Sequence, residues 1–86
     1  MKTKDDVIRN PADLGKWLRA DRKARGLSQA DAAALAGVGL RFLSELERGK
    51  ATAEIGLVLK VLDRFGLTLV VARRGGGGGD VSSESS

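Results

Sequence analysis

The side chains of this chain best suited to binding chemistry are its arginines and lysines. The sequence contains 15 Lys and Arg against 11 Asp and Glu, which gives a formal net charge of +4 and a pI near 10.0. Residues 75–86 include Asp80 and Glu84 but no basic residue, so the positive charge is concentrated in the rest of the chain. A strongly basic small domain favours an anionic partner.

Two residue types that carry much of enzyme chemistry are missing from the sequence. There is no His and no Cys, which removes the commonest general base, the commonest zinc ligand and every thiolate site. The run Gly75–Gly79 precedes no predicted helix, so it is not a phosphate-binding loop. No stretch has the ~20 apolar residues of a membrane span. We therefore expect no enzyme, no catalytic residue, no metal site, no cofactor and no membrane partner.

Capping residues and apolar spacing predict four helices that would position the charged side chains. Asn10-Pro11 is a favourable helix start, Ser28 and Asp31 form a variant of the capping box, and glycines follow the helices as stop signals. The expected helices are Pro11–Arg25, Ser28–Ala36, Leu40–Glu47 and a fourth that Thr52 caps and that ends near Phe65.

The second and third predicted helices are short and are joined by Gly37-Val38-Gly39. This is the helix-turn-helix arrangement, in which the second helix is free to enter a DNA major groove. Gly37 allows the positive φ that the turn needs, and the small side chain of Ala33 lets the two helices approach closely.

Three short sequence pieces lie around this turn at the intervals that are typical of one protein family. Leu27-Ser28-Gln29, Ala36-Gly37-Val38 and Leu46-Glu47-Arg48-Gly49-Lys50 resemble the phage repressor/Cro (XRE) family of helix-turn-helix DNA-binding domains over residues 13–66. The Asn-Pro before the first helix, and a fourth helix that leads into a strand, are similar to the HipB-type antitoxins within that family.

The resemblance implies an all-α, lambda-repressor-like bundle of four to five helices with a C-terminal β-strand that pairs across a homodimer. The expected layout is a flexible arm at 1–10, the helix-turn-helix domain at 11–66, the dimerisation strand at 67–74 and a disordered Gly/Ser tail at 75–86. It also implies a cytoplasmic, nucleoid-associated bacterial repressor that binds double-stranded operator DNA and acts with a HipA-type kinase toxin.

The resemblance assigns DNA-binding roles to positions at the start of the second helix, on the third helix and just after it. Arg41 has the strongest independent argument, because a guanidinium can bind O6 and N7 of guanine in a bidentate fork. Phe42 could contact a thymine methyl or fold back against the second helix. Arg48 and Lys50 are expected to contact phosphates. The predicted DNA-binding residues are Gln29, Leu40, Arg41, Phe42, Ser44, Glu45, Arg48 and Lys50.

Four further positions matter for the stability of the predicted domain. Arg22 and Glu47 correspond to a family salt bridge between the first and third helices, which would make Arg22 structural. Gly39 stands where the family usually has a Ser or Thr cap. Ala32 replaces a family leucine, so we expect Trp17 or Phe42 to fill the space.

The C-terminal part of the chain suggests a dimer. Ile55, Val58, Leu59 and Leu62 predict the inner stripe of the fourth helix, and a second apolar row predicts burial on another side. Residues 67–72 have the pattern of a strand without a long partner in the chain, so either a second molecule or Val7–Ile8 must pair with it. The predicted dimerisation residues are Leu57, Val61, Leu67, Thr68, Leu69, Val70 and Val71.

Three functions compete as explanations of these features. A dimeric repressor, as an antitoxin or as a solitary regulator, accounts for the basic residues around the third helix. A helix-turn-helix module that binds protein and does not read DNA would also tolerate Glu45 on that surface. An enzyme has little support from this composition.

Overall fold

The computed structural model describes residues 7–74 of the 86. Within that range the fold is all-α, with helices α1 (Pro11–Ala24), α2 (Gln29–Ala36), α3 (Leu40–Glu47) and α4 (Ile55–Arg64). The predicted tail at 75–86 and most of the predicted arm at 1–10 lie outside the described residues. No helix among residues 7–74 combines the length and the apolar character of a membrane span.

The first two helices begin at the predicted caps. The Asn10 side chain accepts a hydrogen bond from the Asp13 backbone N–H at 2.8 Å. Ser28 and Asp31 form the reciprocal capping box, with bonds of 3.0 Å and 3.4 Å. These local hydrogen bonds satisfy backbone donors that the helices themselves leave unpaired.

Helix α4 begins later than predicted, because its cap is Glu54 and not Thr52. Ala51 and Thr52 form a turn, and Ala53 packs against the core. Glu54 is still extended, with φ −66° and ψ 123°, and its side chain makes no capping bond. The helix therefore begins after Ala53 has packed against the core, and the residue with the better capping side chain is not its cap.

A glycine sets the distance between α1 and α3. Gly15 is buried in the middle of α1, and a Cβ placed on it would lie 2.6 Å from the Leu46 carbonyl oxygen and 2.8 Å from the Glu47 carbonyl carbon. Both contacts are with backbone atoms, which cannot rotate away. The absence of a side chain at Gly15 thus permits the close packing of the two helices.

The core is made of small and medium aliphatic side chains contributed by all four helices. Ala32 and Ala36 are completely buried, and Leu43 is nearly so. Trp17 and Phe42, the two residues expected to fill the space beside Ala32, are half-buried and pack against this core. The buried apolar residues are Leu18, Ala32, Ala33, Ala36, Leu43, Leu46, Val58, Val61 and Leu62.

The faces of α4 differ from the prediction. Val61, predicted to contact a second copy, is 0% exposed and lies in the core, whereas Ile55 and Leu59, predicted to be inside, are 64% and 41% exposed. The spacing i, i+3, i+4, i+7 fits two apolar stripes of this helix, one starting at Ile55 and one at Val58. In the structure the stripe that starts at Val58 packs into the core. This leaves Ile55 and Leu59 as the exposed apolar flank of α4.

The described residues that follow α4 form neither a helix nor a strand, and most of them are exposed. Leu67 packs against the core, and its N–H donates to the Leu62 carbonyl at 2.8 Å. Leu69, Val70 and Val71 are 58%, 73% and 75% exposed. Within residues 7–74 no strand forms, and no backbone hydrogen bond joins this segment to Val7 or Ile8. The strand across a dimer stays a prediction, because it requires a second chain.

Candidate nucleic-acid interface

The turn between α2 and α3 is held by backbone hydrogen bonds and a lysine. Gly37 ends α2 with φ 73°, in the left-handed region that glycine tolerates. The Val38 N–H donates to the Ala33 carbonyl at 3.0 Å, and Val38 packs against the core. The Lys60 ammonium, from α4, donates to the Gly37 carbonyl at 3.0 Å. Together these contacts fix the orientation of α3 relative to α2.

Helix α3 has one face in the core and one face toward solvent. Leu43, Leu46 and Glu47 are buried, whereas Leu40 is 50% exposed and the Arg41 side chain is 89% exposed. The predicted base-reading positions Leu40, Arg41, Ser44 and Glu45 recur at i, i+1, i+4 and i+5, which places them together on the outward face. The outward face is therefore the part of α3 available to a partner.

Glu45 connects the basic side chains of this surface. Its Oε2 accepts from Arg41 Nε at 3.3 Å, and its Oε1 accepts from Lys50 Nζ at 3.0 Å. The hydrogen bond from Lys50, followed by that from Arg41, lowers the pKa of Glu45 below its ordinary value. Arg48 Nη1 donates to the Ser44 hydroxyl at 3.1 Å. Five predicted DNA-binding residues thus lie together on one polar surface.

Phe42 lies on a different side of α3 from these residues. It is half-buried and packs against the core, which corresponds to the folded-back alternative. The structure therefore shows the packing contact, and the assignment of Phe42 as a thymine contact stays a prediction. Its aromatic ring removes more area from water there than it would on a polar surface.

The start of α3 lacks a side-chain cap. Gly39 occupies the N-cap position, and no side chain binds the first backbone N–H groups of the helix. A Cβ at this position would meet no atom within 4 Å. The structure therefore confirms that α3 has no side-chain cap where the family usually has a Ser or Thr.

A buried ion pair connects α1 to the end of α3. Arg22 Nε donates to Glu47 Oε2 at 2.7 Å, and Arg22 Nη2 donates to Glu47 Oε1 at 2.9 Å. The third nitrogen, Nη1, donates to the Leu27 carbonyl at 2.8 Å. The predicted salt bridge is present and bidentate. With the third bond to Leu27, all three nitrogens of Arg22 are used inside the domain.

Gln29 is attached to the same ion pair. Its Nε2 donates to Glu47 Oε1 at 3.0 Å, so the first residue of α2 is joined to the last residue of α3. Burial alone would raise the pKa of Glu47, but hydrogen bonds from Arg22 and Gln29 outweigh it and lower the pKa. The same ion pair raises the pKa of Arg22. Gln29 keeps a carbonyl oxygen and one N–H for a contact outside the domain.

Arg25 makes contacts that the sequence did not predict. Its Nη2 donates to the Phe65 carbonyl at 2.9 Å, its guanidinium lies 5.3 Å from the centre of the Phe65 ring, and its Nε binds Asp21 at 2.9 Å. Arg25 thus ties the end of α1 to the end of α4, while its side chain stays 41% exposed. A short window of sequence could not predict this contact, because forty residues separate Arg25 from Phe65.

Comparisons with known proteins agree with this architecture. The sequence model of the family described as "Helix-turn-helix" matches residues 18–71. The protein named "Uncharacterized HTH-type transcriptional regulator y4mF", from Sinorhizobium fredii, is 47% identical over 68 residues, which cover 79% of this chain and 90% of that protein.

Solved structures share the fold at low sequence identity. The structure described as "HipB-O4 20mer complex" has a TM-score of 0.72 at 19% identity and covers 79% of this chain and 96% of its own. A complex of a HipB variant with an O2 20mer gives 0.72 at 20% identity, covering 79% and 94%. The fold is therefore HipB-like, and with residues 18–71 matched by the family model, the chain belongs to the XRE-type helix-turn-helix family.

Proposed function

We propose that this protein is a sequence-specific, dimeric transcriptional repressor that inserts α3 into the major groove of operator DNA. The observation that carries the proposal is the outward face of α3, where Leu40 and Arg41 are exposed while Leu43 and Leu46 anchor the helix in the core. The family match and the 47% identity to an HTH-type transcriptional regulator support the same function.

The residues of this surface have distinct expected roles. Arg41 offers its guanidinium to guanine, Leu40 offers an apolar side chain, and Ser44 and Glu45 lie one turn further along α3. Arg48 and Lys50 follow the helix and carry positive charge next to it, which suits the phosphates that flank a recognised base pair. Gln29 would reach the DNA backbone from the start of α2.

Arg41→Ala is expected to weaken binding to the preferred DNA site by roughly 1–3 kcal/mol and to relax sequence preference at one base pair. The reason is the loss of a bidentate contact with guanine. The measurement is a binding isotherm for the preferred duplex and for the three duplexes that change that base pair. Lys50→Ala is the matched control, because losing a phosphate contact weakens all sequences and reduces the salt slope by ~0.9. An unchanged sequence preference in Arg41→Ala would remove that residue from base reading.

The proposed dimer uses the exposed apolar groups near the C-terminal end of the fold. Residues 67–72 would pair with the same segment of a second copy, because its main-chain donors and acceptors have no strand partner within the described residues. Ile55 and Leu59 would be covered beside it, since they form the exposed apolar flank of α4. This set replaces Val61, whose side chain has no exposed area.

Substituting serine at both Ile55 and Leu59 is expected to weaken the dimer by about 2 kcal/mol, or about thirtyfold, because the buried apolar area is lost. Sedimentation equilibrium measures the dissociation constant. Leu35→Ser is the control, since Leu35 is a comparably exposed leucine, at 56%, on α2. Val70→Pro should dissociate the dimer as well, because it removes a main-chain donor within the predicted strand. A dimer that survives both changes would exclude this interface.

We also infer that the repressor acts as the antitoxin of a HipA-type kinase toxin. The HipB-like fold over 79% of the chain supports this choice over a solitary regulator. The neighbouring reading frames test it: a kinase-like gene beside this one, whose product co-purifies with the repressor, is the expected result. Without such a neighbour, the function reduces to that of a solitary regulator.

A further inference from the structure

Glu45 is the acidic residue on the surface of α3 proposed to contact DNA, and an anion is unfavourable next to phosphates. The neighbouring predicted DNA contacts Arg41, Arg48 and Lys50 are all basic. Glu45 does not point away from these cations, because its two oxygens accept separately from Arg41 and from Lys50. Its position therefore needs a reason other than general attraction to DNA.

The contact with Arg41 leaves a defined part of the guanidinium free. A guanidinium can donate two parallel hydrogen bonds either from its side edge, through Nε and one terminal nitrogen, or from its end, through Nη1 and Nη2. Glu45 Oε2 accepts from Arg41 Nε, so the side edge is occupied. Arg41 keeps its end edge, which can still bind O6 and N7 of guanine.

The same contacts occupy two cations that a phosphate could otherwise bind. Arg41 and Lys50 each donate to one oxygen of the Glu45 carboxylate, at 3.3 Å and 3.0 Å. A phosphate of unrelated DNA must compete with this carboxylate for Lys50 and for the side edge of Arg41, and at the free end edge it meets a cation whose charge the carboxylate partly offsets. A guanine bound at that end edge is neutral, so its hydrogen bonds depend less on the charge of Arg41. The arrangement therefore penalises phosphate binding more than base binding.

We propose that Glu45 is a specificity-determining residue that acts through Arg41 and Lys50. It limits the binding of unrelated DNA and positions the end edge of Arg41 for a guanine. The proposal rests on the proposed function and adds a role for the one acidic residue of the α3 surface. Glu45 is thus a positioning residue, whose effect on discrimination depends on Arg41.

The test compares Glu45→Gln with wild type on two duplexes: a site selected from a random-sequence pool and a shuffled duplex of the same composition. Glu45→Gln should bind the shuffled duplex about three to ten times more tightly at low salt, because two cations are released. The salt slope on that duplex should steepen by ~1 to 2. Affinity for the selected site should rise by a smaller factor, because there only Lys50 gains a phosphate contact while Arg41 stays bound to guanine, so the specificity ratio falls.

Asp63→Asn is the matched control, because it makes the same change in net charge at an exposed position on α4. It should leave the specificity ratio unchanged. If Glu45→Gln strengthened both duplexes by one common factor, as a change in net charge alone would, the proposal would be overturned. Thermal melting of each variant checks that the fold is intact, and Glu45 is not among the buried residues of the core.

A double-mutant cycle with Arg41→Ala separates positioning from direct base contact. In the Arg41→Ala background, Glu45→Gln should no longer alter discrimination at the guanine position. Discrimination that changes equally in both backgrounds would show that Glu45 reads a base by itself and would overturn the proposed coupling. A random-sequence selection that enriches no site with wild-type protein would instead refute the DNA-binding function on which the proposal rests.

Discussion

Gly15→Ala should destabilise the domain by about 2–4 kcal/mol, because the added methyl would overlap the backbone of α3. The clash involves the carbonyl groups of Leu46 and Glu47, and no rotamer change can relieve it. The two helices must separate, which also stretches the buried ion pair between Arg22 and Glu47. For a domain of this size, the melting temperature should fall by at least about 10 °C.

Gly56→Ala is the control for this substitution. Gly56 also lies within a helix, but its added Cβ would meet a single atom, a Glu54 side-chain oxygen at 3.5 Å, which is ordinary contact. Alanine there should stabilise the protein by up to about 1 kcal/mol, because it lowers the entropy of the unfolded chain. If Gly15→Ala were as stable as wild type, the close packing of α1 on α3 would be wrong.

Glu47→Ala should cost about 3–5 kcal/mol, since it leaves the Arg22 charge buried without its partner. Arg22 has a side chain only 10% exposed, and Glu47 only 2%. Urea denaturation measures the loss. Glu45→Ala is the matched comparison on the same helix: it also removes ion pairs of a glutamate, but exposed ones, and should change stability little.

Replacing both Arg22 and Glu47 shows whether the cost comes from the unpaired buried charge of Arg22 or from the loss of its attraction to Glu47. The double variant Arg22→Met with Glu47→Leu should be more stable than Glu47→Ala, because no charge remains buried alone. If the single and double variants were equally unstable, the shape of the site and not its charge would determine the cost. Gln29 would lose its partner in both variants, so its contribution cancels in the comparison.

The ion pair also predicts how stability depends on pH. The pKa of Glu47 lies below its ordinary value of 4.5 in the folded protein. Its stabilising contribution is therefore complete above that ordinary value and is lost as the pH falls through the lowered one. The difference in unfolding free energy between wild type and Glu47→Gln should shrink on acidification below pH 4.5. A constant difference down to about pH 2 would contradict this assignment.

Local signals account for the parts of the fold that the sequence predicted well. The caps at Asn10 and Ser28 bind backbone groups three residues away, so a short window of sequence contains both partners. Gly37 ends α2 by its own backbone conformation. The third helix had the predicted boundaries for the same reason, since Gly39 and Gly49 bracket it.

Features that depend on distant residues could not be read in this way. Two apolar stripes of α4 share the helical period, and only packing against the rest of the bundle selects Val58, Val61 and Leu62. Gly15 gives no local sign of the backbone opposite it. The hydrogen bond from Gln29 to Glu47 joins residues 18 positions apart. The resemblance to known repressors indicated the Arg22–Glu47 ion pair but not the contact of Gln29 with it.

The two faces of α3 separate the residues that hold the fold from those proposed to contact DNA. Leu43, Leu46 and Glu47 support the scaffold, whereas Leu40 and Arg41 project from it. Changes at the projecting positions cost the scaffold little, since surface substitutions usually have small effects on stability. On the proposed function, a few substitutions at these positions would give the domain a new operator while its architecture stays the same.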